Sequence, residues 1–208
     1  MHKTTLLCAI ALFCASAAFG VNIVSNPGFE SGTFAGSWTE HTCSTTCGAQ
    51  GVFVATADPH TGTYAAETRC VSAACLDPVT GDWISQVLTT TAATTYTLSF
   101  WMDPVNGGDP TVEWDAFWNG VKVGSFSSEP AGYHQFIIGS LLATGATSTL
   151  EFTGRHDPAT VWLDDVCVSS STDCGSASSV PEPTSAFLLS SGLAGIGLFA
   201  LRRRRARG

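Results

Sequence analysis

The strongest constraint on the fold is a strict two-residue alternation in the middle of the chain. From Thr95 to Met102, Tyr96, Leu98, Phe100 and Met102 fall on one side, and Thr95, Thr97, Ser99 and Trp101 on the other. That is the period of an extended strand whose one face is buried. Val112, Trp114, Ala116 and Trp118 repeat the pattern, and Asn119-Gly120 follows at once. This dipeptide is a strong hairpin signal, because a type I′ turn needs positive φ at both central residues. Val121–Phe126 would be the returning strand. Tyr133–Ile138, Ser148–Thr153 and Thr160–Val168 read as further strands, as do Val21–Val24, Gly51–Ala55 and Ile84–Leu88. No helix-period stretch interrupts them between Val21 and Cys174. The expected fold class is all-β, a two-sheet antiparallel jelly-roll sandwich over residues 21–168.

Both ends of the 208-residue chain read as processing segments. Residues 1–20 have the form of a signal peptide. Lys3 precedes an apolar run from Leu6 to Phe13, and small residues through Gly20 suit cleavage by signal peptidase. That run is too short to span a bilayer, which takes about 20 residues. Residues 169–179, rich in Ser, read as a linker.

At the other end, Val180-Pro181-Glu182-Pro183 leads into 18 uncharged residues, Thr184–Leu201, and then into Arg202–Arg205 and Arg207. As a helix, 18 residues span roughly 27 Å, enough for a thin hydrocarbon core. The arginines would stay cytoplasmic and leave the preceding domain outside. Residues 180–208 resemble the PEP-CTERM sorting signal of Gram-negative bacteria. The resemblance implies a transient inner-membrane anchor, recognition and removal by an exosortase, and a destination at the cell surface or in an exopolysaccharide matrix.

Processing changes the charge balance. Of nine Lys and Arg, Lys3 and five C-terminal arginines are lost, leaving Arg69, Lys122 and Arg155. Of seventeen acids only Glu182 is lost, so sixteen remain and the body carries −13. Such a surface repels a phosphate backbone, which excludes nucleic acid as a partner. Six cysteines remain: Cys43, Cys47, Cys70, Cys75, Cys167 and Cys174. An even count in an exported chain points to disulfides. Sequence neighbours suggest 43–47, 70–75 and 167–174, although six cysteines allow fifteen pairings. A zinc alternative on His41, Cys43 and Cys47 lacks a second ligand pair at zinc-finger spacing.

Two kinds of residue are candidates for function. At Asp164-Asp165, the apolar residues Leu163 and Val166 stand three apart, so alternation fails at the carboxylates, as at a bulge that re-aims side chains. Trp101 shares a face with hydroxyl residues, and Trp114, flanked by Glu113 and Asp115, could line a groove; both are candidate sugar-stacking side chains. Trp38, Trp83, Trp118 and Trp162 read as core or loop packing. Catalysis finds little support. The four remaining histidines (His41, His60, His134, His156) lie in no nucleophile-elbow or metalloprotease motif. Asp103 and Asp109 flank a Gly-rich loop, and Glu113 with Asp115, two apart on a strand, put both carboxylates on one face as a glycosidase pair would, a spacing far commoner for plain solvent-facing acids.

The landmarks also resemble carbohydrate-binding modules of the galactose-binding-like jelly-roll class. They are Asn26-Pro27-Gly28-Phe29-Glu30, Trp38, His60–Ala66, Ile84-Ser85-Gln86, Tyr96–Trp101 and Leu163-Asp164-Asp165-Val166. The resemblance implies non-catalytic binding of carbohydrate, here exopolysaccharide, and one structural calcium held by Glu30 with Asp164 or Asp165. The alternatives are a structural biofilm-matrix protein without specific sugar binding and, further off, a polysaccharide hydrolase.

Overall fold

The computed structural model describes residues 21–43, 47, 51–104, 111–127, 129–157, 160–171 and 174. The chain divides into two units, Met1–Gly175 and Ser176–Gly208, and every described residue lies in the first. Among the described residues ten strands form: β1 (Thr39–His41), β2 (Val52–Ala55), β3 (Ala65–Thr68), β4 (Trp83–Thr89), β5 (Thr95–Pro104), β6 (Glu113–Trp118), β7 (Val121–Ser127), β8 (His134–Leu142), β9 (Thr147–Arg155) and β10 (Val161–Ser169). They make two five-stranded antiparallel sheets, ordered β1-β4-β9-β6-β7 and β2-β3-β10-β5-β8. The fold is the expected all-β jelly-roll sandwich.

The inward faces carry the residues that alternation assigned to them. Leu98, Phe100 and Met102 of β5, Trp114 and Ala116 of β6, Phe152 of β9 and Leu163 of β10 are fully enclosed. Aromatic rings fill the space between the sheets: Phe100 of one sheet meets Phe152 of the other edge-on at 5.2 Å, and Phe152 meets Trp114 of its own sheet at 6.4 Å. Each such ring removes on the order of 2–3 kcal/mol of apolar surface from water. Asn119 and Gly120 both take positive φ, 52° and 75°, and Trp118 pairs with Val121 across them. This is the expected hairpin.

Val21–Val24 forms no strand. It runs beside β10 instead, held by Ile23 N donating to Val168 O and by the Asn22 amide, which bonds Val166 O and accepts from Val168 N. The first and last segments of the domain therefore lie side by side.

Three disulfides join the neighbours suggested by spacing: Cys43–Cys47, Cys70–Cys75 and Cys167–Cys174, with Cα separations of 5.7, 6.0 and 5.5 Å. The first two pack together in a small satellite core beside a short 3₁₀ turn, Ala73–Leu76. His41 takes no part in a metal cluster there. Its Nδ1 lies 2.7 Å from Gly81 O and its ring stacks on Trp83. Among the described residues no helix is long and apolar enough to cross a membrane, and Thr184–Leu201 lies outside them.

Candidate functional site

Because Leu163, Met102 and Ala66 face the core, their sequence neighbours occupy the outer face of the β2-β3-β10-β5-β8 sheet. Register lines these up in two rungs. Phe53, Glu67, Trp162 and Asp103 are successive cross-strand partners, and Asp164, Trp101 and Gln135 form the next row. Trp101 is thus on the sheet surface, half-buried, as its hydroxyl-rich face implied.

What half-buries it is the loop between β2 and β3. His60 stacks on the Trp101 indole with centroids 4.0 Å apart and planes 18° from parallel. Tyr133 lies against the other side of the cluster, 4.9 Å from His60, and its hydroxyl donates to Asp58 O at 2.6 Å. One face of Trp101 is therefore taken, and the aromatic surface on offer is a composite of Trp101, His60 and Tyr133.

The same loop is clasped by the three acids named from sequence. Asp164 Oδ2 accepts from His60 N (2.9 Å) and Thr61 N (3.1 Å), and its Oδ1 accepts from Asp165 N. Asp165 Oδ2 lies 2.7 Å from His60 Nδ1, and its Oδ1 accepts from Thr61 Oγ1. Glu30 accepts from Thr63 N and Tyr64 N. Its approach requires glycine at position 62, where φ is +67° and a Cβ would sit 2.3 Å from Glu30 Oε1. The bulge expected at the acid pair is present: register shifts between Asp164 and Cys167, and Asp165 takes φ +48°.

These acids surround Gly28. A Cβ there would lie 3.4 Å from Asp164 Oδ1, 3.4 Å from Asp165 Oδ1 and 3.7 Å from Glu30 Cγ. The Asp164 and Asp165 oxygens are hard donors of the kind calcium takes, while Glu30 turns its Cγ toward Gly28 and its oxygens toward Thr63 N and Tyr64 N. Among the described residues, the set of metal-ligating side chains whose donor atoms lie within 4.8 Å of one another is Cys47, Cys70 and Cys75, and those sulfurs are in disulfides. The three acids stand wider apart than that.

Electrostatics is one-sided here. Burial, then the charge of Asp165, pushes the Asp164 carboxyl up to about 7. Burial raises Asp58, reinforced by the charge of Asp103 and a hydrogen bond to it. Burial also raises the Tyr133 hydroxyl, and Asp164, Asp58, Asp103 and Asp165 all add to the shift. Asp103 is tied down by Gly132 N at 2.9 Å.

Trp114 is a correction. It is fully enclosed between the sheets and offers no surface to a ligand. Its flanking acids face the opposite side of the sheet, where Lys122 pairs with Asp115 and Ser125 bonds both Glu113 and Asp115. Tyr133, Asp58 and the stacking role of His60 were missed, and Asp103 was read only as an acid flanking a Gly-rich loop. His60 was visible within the His60–Ala66 landmark, but nothing in the sequence placed it on Trp101.

Residues 179–205 match the PEP-CTERM protein-sorting motif, enclosing the Val180-Pro181-Glu182-Pro183 signature. The chain carries a PEP-CTERM signal. The match lies wholly C-terminal to the sandwich. Comparison with curated proteins gave no match. Solved structures resemble the domain ahead of the PEP-CTERM signal. TmCBM61, solved with β-1,4-galactotriose, is 21% identical with a TM-score of 0.51, covering 71% of this chain and 97% of its own. A protein of Bacteroides thetaiotaomicron VPI-5482, provisionally named as sugar-binding, is 11% identical with a TM-score of 0.53, covering 72% and 99%. The K1 cleaved adhesin domain of Lys-gingipain from Porphyromonas gingivalis W83 is 11% identical with a TM-score of 0.50, covering 68% and 94%. At these identities the likeness establishes the shared jelly-roll fold.

Proposed function

We propose that this chain is exported, is anchored transiently through its PEP-CTERM signal, and binds carbohydrate without chemistry through the outer face of the β5–β10 sheet. In this reading signal peptidase removes residues 1–20, an exosortase processes the C-terminal tag, and the domain works in the exopolysaccharide of a Gram-negative cell surface. The observation that carries the binding reading is the Trp101–His60–Tyr133 cluster, aromatic surface bordered by Asp103, Gln135 and Asp58. Sugars pack C–H faces on such rings while polar neighbours fix hydroxyl orientation. TmCBM61, of like fold, was solved with a bound galactotriose.

Calcium has a structural part in this reading, held by Glu30, Asp164 and Asp165 around Gly28. It would supply the positive charge that the buried Asp164 lacks and lock the loop carrying His60. At a concentration about a hundredfold above its dissociation constant, calcium should stabilise the domain by about 2.7 kcal/mol. Differential scanning calorimetry with calcium and then with chelator checks this, and an unchanged melting temperature removes the metal from the account.

A second reading, an acidic matrix protein with no specific sugar, is favoured by the net charge of −13 that remains after processing. Glycan-array binding of calcium-loaded full-length protein separates the two. Trp101→Ala should abolish any signal, a loss of at least about tenfold in affinity. An array with no hits leaves the matrix reading.

A further inference from the structure

Among the described residues each five-stranded sheet has two edges, and the four edge strands are defended unequally. β1 and β2 have three and four residues, too few to offer much of a ladder. β7 carries Lys122, whose ammonium pairs with Asp115. β8 has nine residues and, His134 apart, no ionisable side chain and no proline. A long edge strand offers a row of backbone N–H and C=O groups to another chain unless a charge, a proline or a bulge blunts it. In β8 the bulge comes only toward the far end, where Ser140 takes φ +62° and the register with β5 shifts. Residues 134–138 stay regular, and Ile137 among them is 60% exposed.

Charge decides what kind of chain can meet this edge. The body holds sixteen acids against three bases, yet residues 83–102 and 130–150 contain no Asp, Glu, Lys or Arg. Those stretches supply β8 and the part of β5 that pairs with it. A basic partner would be drawn to the acids elsewhere, and a second copy approaching through those acids would be repelled. At β8 that repulsion is absent. Beside the strand, Trp118, Val121, Val123, Leu141 and Leu142 line an open apolar groove of about 250 Å³, with Val121 and Leu142 65% and 51% exposed. Uncharged apolar surface is complementary to itself, which a two-fold interface requires.

We propose that β8 is a self-association edge: residues 134–138 pair antiparallel with the same residues of a second copy, about a two-fold axis at Phe136. The two copies then share one ten-stranded sheet, joined β8 to β8. The axis carries the exposed residues 130–132, at the start of one β8, toward the groove at the end of the other. A contact strip about 31 Å long and about 20 Å wide covers roughly 600 Å² per copy, the low end of specific interfaces and enough for a weak pair. Three strand spacings separate the two copies of β5, so their Trp101 surfaces lie about 15 Å apart on one face. On the carbohydrate-binding reading, one polymer chain meets both and gains avidity.

Sedimentation velocity on full-length protein in mild detergent, with no sugar present, tests the pairing. Wild type should dimerise with a dissociation constant of about 10 μM at about 0.5 M salt, and more weakly as salt falls and the acidic bodies repel. Ile137→Glu and Ile137→Lys should each raise that constant at least about tenfold. Val79→Glu, at another exposed apolar position, should leave it unchanged. Mixing the two Ile137 variants should restore dimers, because the two-fold sets both position-137 side chains on one face, about 8 Å apart. Misfolding of either variant would give no such rescue. A monomer at every concentration, or mixed variants that stay apart, overturns the pairing. A dimer that survives Ile137→Glu forms through another surface or through the C-terminal tag, and overturns it too. Since no sugar enters the experiment, its failure leaves carbohydrate binding standing, and a blank glycan array leaves the pairing standing.

Discussion

Glu151 shows how a single carboxylate can work against the fold that contains it. It projects from β9 on the outer face of the β4–β9–β6 sheet, between Ser85 and Phe117, and its Oε1 is buried without a partner. Burial raises its pKa above the ordinary glutamate value. A group whose folded pKa is raised in this way holds its proton more tightly folded than unfolded, so stability falls as pH climbs through the window between the two values. Glu151→Gln should therefore raise the melting temperature near pH 7, by about 2 °C, and change it little near pH 4. Thermal melts of the two proteins across that range check the sign. The residues around Trp101 teach the opposite lesson about reading chemistry from sequence. The alternation of β5 put Trp101 on the outer face, but His60 lies forty-one positions away and reaches it only because the β2–β3 loop folds back over the sheet. Trp114 was misassigned because its acidic neighbours suggested water, when the alternation of Val112, Trp114, Ala116 and Trp118 already implied the core.

Elements were legible where local chemistry and burial agreed. The Asn119-Gly120 turn and the strands flanking it follow from φ requirements and a two-residue period. The bulge in β10 was legible as broken alternation, and its backbone makes a specific demand: Asp165 at φ +48° is a conformation that β-branched residues resist. Asp165→Val should lose about 2 kcal/mol more stability than Asp165→Asn, measured by chemical denaturation in chelator. Equal losses would mean that the lost hydrogen bonds to His60 and Thr61, and not the backbone, set the cost. The β3 strand gave no signal. Its sequence is Ala65-Ala66-Glu67-Thr68, and all four are buried, so neither polarity nor side-chain size alternates. Val21–Val24 misled in the other direction. Its β-branched composition suits a strand, but one backbone bond and the Asn22 side chain suffice to dock it on β10.

For the whole molecule, the sorting tag and the sandwich are separable in sequence, since the matched motif begins at residue 179 and the last strand ends at Ser169. The described core draws only on residues 24–168. Removing 180–208 should therefore leave the melting temperature unchanged within about 1 °C and release the protein from membrane fractions into the soluble exported pool. Calorimetry and cell fractionation check the two halves of that statement separately. The close of the domain also has a mechanical meaning for a protein tethered by its tail. Cys174 is bonded to Cys167, which lies in β10 between β3 and β5. A pull arriving from beyond residue 174 bypasses the intervening residues and enters at an interior strand clamped on both edges. It must shear two ladders together instead of unzipping them one rung at a time, so the domain is built to resist drag along its own leash.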